Sequence, residues 1–373
     1  VNAELVALGA VDDEFIRAWE RLAAEAIFPN PFFEPPLALA ARDHLEGGHE
    51  MHALVVRDGE RLRFLLPVVK GSWSRLKIPA LRTFRHPYVF VGTPLIAVDT
   101  DVDAITVFKT LFAFAAQQPG VVVFEWTNEL IASSVEMFAG SPASIRNRFV
   151  RPFLLKEDAA LGALGRKERQ TMERRRRKLE RELGPTTTVD VAAQPEAIER
   201  FLELEHAGWK GDGGTSLLSS PSDAAFFRAL CASATPAQQL SMWEMRDRTG
   251  RAVAMTTRLR SGEWEFDFKR TYAEDLGGYS PGRMLEIELL GTVDQRGHRA
   301  VDTCLDPPDP FYGRLTDAHL GYSDVVIAGR GSVARAAVRL VGRRHHRRVS
   351  TARLDALVLF VLPAAGVLQR LAS

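Results

Sequence analysis

Trp264-Glu265-Phe266-Asp267-Phe268-Lys269 leads into Leu276-Gly277-Gly278-Tyr279-Ser280-Pro281-Gly282, and then into an apolar-periodic run from Arg283 to Arg296 and a second apolar run from Arg299 to Cys304. The first piece alternates apolar and polar residues as a half-buried strand does. The glycine- and serine-containing piece ends in Ser-Pro, residues that favour a helix start. Strand, loop, helix and strand in that order make an α/β unit. A helix opened by such a loop offers first-turn N–H groups that have no partner within the helix, and its dipole favours negative charge there. Ser280, Pro281 and Gly282 are therefore a candidate diphosphate site, and Arg283 can add a charge-assisted contact. The same residues also describe an ordinary capped helix start, and the sequence leaves both readings open.

Upstream, helices are expected over Pro195–Gly208 and Ser222–Ser233, with strands over Gln239–Met245 and Ala252–Leu259. The first half reads similarly. It has a helical pattern from Phe15, a Pro-rich turn at Phe28–Phe33 and a helix over Glu34–Leu45. Two strands, His52–Arg57 and Arg61–Val69, meet at Asp58-Gly59, a strong hairpin signal. The run Val89–Leu95, a helix over Asp103–Gln117 and a strand over Val121–Trp126 complete an α/β pattern. Periodicity lapses between Arg151 and Gly165. The expected organisation is a domain over residues 1–160, a second over 161–328, and a basic and apolar helical tail over 329–373, each domain a mixed central sheet flanked by helices.

Bulk composition excludes several classes. Of 373 residues 46% are hydrophobic and 25% charged, as in globular chains, and 48 Lys+Arg balance 47 Asp+Glu, so no global field favours nucleic acid. The two cysteines, Cys231 and Cys304, form no metal- or disulfide-like pattern, so no metal site is expected and a reducing compartment fits. No basic segment followed by an apolar run opens the chain, and Leu354–Leu368 is short of a bilayer span, so a cytoplasmic protein is expected.

The second half resembles the GNAT acyltransferases of the CelD type, which is associated with cellulose biosynthesis and related to the Fem-type aminoacyltransferases. The matching pieces are Gly208-Trp209-Lys210-Gly211, Gly214-Thr215-Ser216-Leu217, Phe226-Phe227, Ala252-Val253-Ala254-Met255, Lys269-Arg270-Thr271-Tyr272-Ala273-Glu274, Ser280-Pro281-Gly282 and Asp302-Thr303-Cys304. The first half fits through Phe32–Pro36, Pro67 and Gly92-Thr93-Pro94-Leu95, so the likeness spans roughly residues 10–325. The resemblance implies tandem GNAT-like domains. It also implies that Ser280, Gly282 and the following amides hold an acyl-CoA diphosphate, with the strand that carries Phe268 beside the thioester.

Direct transfer to an amine requires a deprotonated nucleophile, a polarised carbonyl and a protonated leaving group. Candidate residues are Lys269, Tyr272, Glu274, Asp302 and Cys304. Asp302 is read either as a general base or as an orienting carboxylate, Lys269 as a charge partner, and Cys304 as an acyl-accepting thiol or inert packing. His206 titrates near neutrality, which suits acid–base work or a helix-capping role. Trp209 and Lys210 either line an acceptor channel or cover a core edge. Relatives often carry a His within Asp-Pro-x-His-Pro, whereas this chain has Asp306-Pro307-Pro308-Asp309-Pro310, with Asp309 at that position.

Between Arg166 and Arg181 nine basic residues face three glutamates, a helix suited either to phosphates of tRNA, CoA or lipid or to a solvated linker. The tail carries Arg343-Arg344-His345-His346-Arg347-Arg348 between amphipathic and apolar runs, a pattern of contact with an anionic membrane surface or of a packed helical extension. The sequence thus points to acyl-CoA-dependent transfer to a small-molecule or lipid-linked amine, either free in the cytoplasm or peripheral at the inner membrane face. The competing readings are a Fem-like aminoacyl-tRNA-dependent transferase and a non-catalytic degenerate GNAT in envelope or polysaccharide assembly.

Overall fold

The computed structural model describes residues 1–99, 102, 104–138, 142–155, 165–305 and 311–345. In chain order the first half comprises β1 (Asn2–Ala7), α1 (Asp13–Ala24), α2 (Pro35–His44), β2 (His52–Asp58), β3 (Arg61–Trp73), β4 (Ile78–Thr83), β5 (Leu95–Ile96), α3 (Ala104–Gln117), β6 (Val121–Asn128), α4 (Glu129–Phe138) and β7 (Ala143–Leu155). The second comprises α5 (Arg166–Leu183), β8 (Thr187–Asp190), α6 (Pro195–His206), α7 (Trp209–Asp212), α8 (Pro221–Ala234), β9 (Leu240–Arg246), β10 (Ala252–Ser261), β11 (Trp264–Tyr272), α9 (Pro281–Leu290), β12 (Ala300–Asp302), β13 (His319–Ala328) and α10 (Ser332–His345).

All strands join one mixed sheet in the order β1-β2-β3-β4-β6-β13-β7-β12-β11-β10-β9-β8, with β5 on β3. β7 is the hinge of this order: residues 143–152 pair with β13, and Phe153–Leu155 pair with β12. β13 comes late in the chain yet lies between β6 and β7 of the first half. The Asp58-Gly59 hairpin forms as expected, Gly59 taking a φ of 57° that a side chain would resist.

Several elements differ from the sequence reading. The helix expected over Arg283–Arg296 ends at Leu290, capped by Gly291, and a short 3-10 turn follows. The strand expected over Arg299–Cys304 shortens to Ala300–Asp302, because Cys304 turns into the left-handed region with φ 52°. β1, β4, α4, β7, β8, α7 and β13 had no counterpart in that reading. Arg166–Leu183 is a helix as expected, ended by Gly184 at φ 80°. Residues 156–164, Asp309 and the tail beyond residue 345 lie outside the described residues, and within the described residues no helix is long and apolar enough to cross a membrane.

The halves meet through α2 against α8 and an aromatic cluster. Phe268 packs near Phe227, Phe90 and Phe32, and Tyr88 stacks on Phe226 at 5.6 Å. At the same junction Glu34, the residue before α2, accepts hydrogen bonds from Gln239 and Ser261 of the second half. Burial pushes this carboxyl up from 4.5 to about 7, against the lowering effect of the Ser261 hydroxyl. The folded chain therefore binds more protons than the unfolded chain between those values, and stability falls as pH rises through that window, by up to roughly 3 kcal/mol. Glu34→Gln is expected to remove this decline, which urea melts from pH 4 to 8 would read as a gap over wild type that widens with pH. Parallel curves would show that the carboxyl titrates normally.

Candidate active site

The site is organised around one buried guanidinium. Arg258 on β10 lies 2.8 Å from Glu265 and 2.9 Å from Asp267, both on β11, and also bonds Glu286 on α9. All four side chains are buried, so the network ties α9 to the strand that precedes it. Burial pushes the Glu265 carboxyl up, but Arg258 and Arg296 outweigh it and hold it down at about 2. Asp267 has the opposite balance: burial first, then Glu286, raise it to about 7 despite Arg258.

α9 begins without a side-chain cap. Ser280 sits in the left-handed region (φ 60°, ψ 52°), and its hydroxyl accepts a 2.8 Å bond from Arg175 of α5 instead of capping the helix. Pro281 has no N–H, and the Arg283 and Met284 amides turn back onto the Ser280 carbonyl. Gly282 faces space: a Cβ there would meet only the Tyr272 ring, at 3.6 Å. α5 is held alongside by Leu179 and by a 2.7 Å pair between Arg176 and Glu288 of α9. That docking is what brings Arg175 over the helix start.

From there a cavity of about 1070 Å³ runs along β11. It exists because β11 pairs with β12 only over Trp264–Phe266. Beyond Phe266 the strand keeps its β10 partner on one side, and Asp267 to Tyr272 line the cavity. Six cationic side chains line it (Arg85, Arg175, Lys210, Lys269, Arg270, Arg283) against three carboxylates (Glu205, Asp267, Glu274), a surplus that suits an anionic ligand. Trp126, Phe90 and His86 of the first half form the opposite wall, where the Arg85 guanidinium lies 3.5 Å from the Trp126 ring centre.

Deep in the cavity Lys210 donates to Glu205 at 2.8 Å and to the Arg270 carbonyl at 2.7 Å, while Lys269 stands 3.7 Å from the same carboxylate. Burial raises the Glu205 carboxyl, but the two lysines and the Leu217 amide prevail and keep it below the usual range. Burial pushes Lys269 down, with Glu205 opposing, and its ammonium lies 4.5 Å from the Tyr88 ring centre. Arg270 bonds the Tyr312 hydroxyl at 2.5 Å, which links it towards Asp267.

Most of the residues chosen from sequence converge here: Lys269, Tyr272, Cys304, Phe268, Ser280, Gly282, Arg283, Trp209, Lys210 and Glu274 all line the cavity. Three do not. Pro281 is buried at the helix start. Asp302 is 0% exposed and does not reach the cavity, since its oxygens are taken by the Tyr322 hydroxyl at 2.6 Å and the Cys304 amide at 2.8 Å, with Arg151 at 3.8 Å. In that arrangement both carboxylate oxygens are engaged by groups of the fold. His206 lies outside the lining, exposed, with its ring bonded to Ser216 at 2.8 Å. Cys304 reaches the cavity, yet burial and then Asp302 push its thiol well above the ordinary range, which disfavours the nucleophilic thiolate.

Asp267, Glu205, Arg85, Arg175 and Arg270 were not singled out from sequence. Asp267 was one of the polar positions of an alternating strand, a pattern that reads as a solvent-facing side chain and gives no sign of its burial. Arg85 carried no signal, because only the approach of the first half to β11 gives it a role.

Residues 166–311 match the family described as an acetyltransferase (GNAT) domain. No curated protein matches the chain in sequence. Among solved structures, FemX is similar at a TM-score of 0.58 and 9% identity over 91% of this chain and 100% of that one. A conserved protein of unknown function from Bacteroides thetaiotaomicron VPI-5482 reaches 0.56 at 13% identity, covering 84% of this chain and 97% of that one. L-PGS from Bacillus licheniformis reaches 0.55 at 14% identity, over 89% and 98%. These likenesses define a shared mixed α/β fold that runs nearly the full length of each chain, and the acetyltransferase (GNAT) match lies within its second half.

Removing one member of the Arg258 network strands charge in the core. Arg258→Ala is expected to cost about 3–5 kcal/mol, read as a lowered midpoint in chemical denaturation. A loss below 1 kcal/mol would mean that water already reaches these carboxylates.

Proposed function

We propose that the chain is an N-acyltransferase that moves an acyl group from acyl-CoA to an amine by direct attack. One observation carries this reading: a single cavity connects the uncapped start of α9, flanked by Arg175 and Arg283, with the splayed edge of β11. A diphosphate fits that start, where no side chain caps the first turn and Gly282 leaves room. When bound, the donor supplies an activated acyl thioester.

The chain's own residues then supply positioning and proton movement. Asp267 lines the cavity with its carboxyl raised to about 7, and accepts a proton from the attacking amine once pH exceeds that value. Tyr272 stands beside Gly282, and burial keeps its hydroxyl protonated, ready to donate to the leaving group. Lys269 holds an anionic or polarised oxygen of the reacting partners. Phe90 and Trp126 complete the acceptor side from the first half, and with Phe268 of β11 they exclude water. Within the GNAT class we keep the CelD-type assignment, on the motifs from Gly208 to Cys304.

A second reading draws on α5. Its exposed side carries a separate hollow of about 480 Å³ lined by Arg174, Arg177, Glu180 and Arg181, which suits a phosphate backbone and hence an aminoacyl-tRNA donor.

CoA, acetyl-CoA and long-chain acyl-CoA distinguish the two. At 100 times the dissociation constant, binding should stabilise the fold by about 2.7 kcal/mol, seen as a rise in melting temperature that Gly282→Glu abolishes. In the same preparation Asp267→Asn should lower turnover at least a hundredfold while keeping the CoA-induced shift. No shift with any CoA species, together with tRNA binding that weakens steeply with salt, would replace the first reading by the second. No shift with either would leave a non-catalytic binding protein.

A further inference from the structure

We infer that the face of the molecule formed by α10 and the β3–β4 hairpin docks on an anionic lipid bilayer. This goes beyond the proposed transferase activity and does not depend on it.

The two segments share one packed cluster. Trp73 and Ile78, at the ends of the hairpin turn, pack with Ala334 and Val338 on the inner side of α10. The tip of the hairpin and the outer side of α10 thus belong to one patch. Its apolar members are conspicuous: Leu76 is 68% exposed, Val333 61% and Leu340 57%, three of the six large hydrophobic side chains exposed among the described residues. Val333 and Leu340 lie seven residues apart, two helical turns, and so share one flank of α10.

Charge around these side chains is mostly cationic. The hairpin turn between Trp73 and Ile78 carries Arg75 and Lys77 beside Leu76 and no acid, and the Asp324 carboxylate, paired in register with Arg146, is engaged by Asn147 at 2.6 Å. α10 holds four arginines and no acid, and Arg335 and Arg339 are exposed along the flank opposite Val333 and Leu340. Arg146 of β7 adds a guanidinium 5.6 Å from the Trp73 ring centre. The nearby carboxylate of Glu125 is already bonded at 2.6 Å by Arg82. Exposed aliphatics at the level of a cationic rim are what an interfacial helix presents to lipid, apolar groups entering the acyl boundary and arginines meeting headgroup phosphates. A nucleic acid would use the cations but gives Leu76, Val333 and Leu340 nothing to enter, so the combination favours lipid.

The test uses the full chain and vesicles of phosphatidylcholine alone or with 30% phosphatidylglycerol (about physiological surface charge). Flotation should recover the protein only with the anionic vesicles, and less at high salt. Arg335→Glu with Arg339→Glu should weaken binding more than tenfold, each basic residue near the surface contributing about 1 kcal/mol. Leu76→Ser with Leu340→Ser, which keeps every charge, should weaken it severalfold. Melting temperature and any CoA-induced shift should stay as in wild type in both variants, since neither touches the cavity. Equal flotation on neutral vesicles, or unchanged flotation in both variants, overturns the proposal. So does a duplex DNA competitor that binds this face more tightly than the vesicles and is insensitive to the Leu76 and Leu340 substitutions.

Discussion

The site depends on one buried cation. Arg258 is shared between two carboxylates of β11 and one of α9, so the distance between the helix start and the strand is set by charge-assisted bonds rather than by apolar packing. Apolar contacts around Leu285, Met284 and Val253 would tolerate sliding of α9 along the sheet, whereas a guanidinium fork does not. The same network leaves Asp267 short of compensation, since Arg258 is shared with Glu265 and Glu286 and Glu286 adds a like charge to a buried carboxyl. A structural anchor and a carboxyl with a raised affinity for protons thus arise from one arrangement.

The first half contributes more than support. Its sheet is continuous with that of the second half through β7, and β13 returns to lie between β6 and β7, so the two halves cannot separate without breaking strand pairing. Across that rigid frame Arg85, Phe90 and Trp126 close the cavity opposite β11. Trp126 itself takes a φ of 54°, uncommon for a bulky residue and held by the Asp324 carboxylate on its amide. Backbone strain at this wall and at Ser280 and Cys304 places three of the left-handed non-glycine residues on the cavity lining.

Much of this was legible in the residues. The alternation of Trp264–Lys269, the Ser-Pro-Gly helix start and the Asp58-Gly59 hairpin each express a local backbone preference, and each appears where that preference puts it. What escaped was non-local. β7 and β13 are irregular in pattern because a bulge near Asn147, with a φ of 49°, shifts their register. Asp302 read either as a base or as an orienting carboxylate because a strand-end acid looks open in sequence, while in the fold Tyr322 and Arg151 arrive from remote segments to enclose it. Glu205 read only as part of a helix, and it gains its role from Lys269, brought from a different element by tertiary packing.

The central claim is that the amide of Gly282 and the guanidiniums of Arg175 and Arg283 together hold a diphosphate. A crystal structure of the chain with a non-hydrolysable acyl-CoA analogue addresses it directly. The expected result is diphosphate density within hydrogen-bonding distance of all three groups, with the acyl end beside Asp267. Density elsewhere, or an α9 start that keeps Arg175 on Ser280 and touches no ligand, would contradict it.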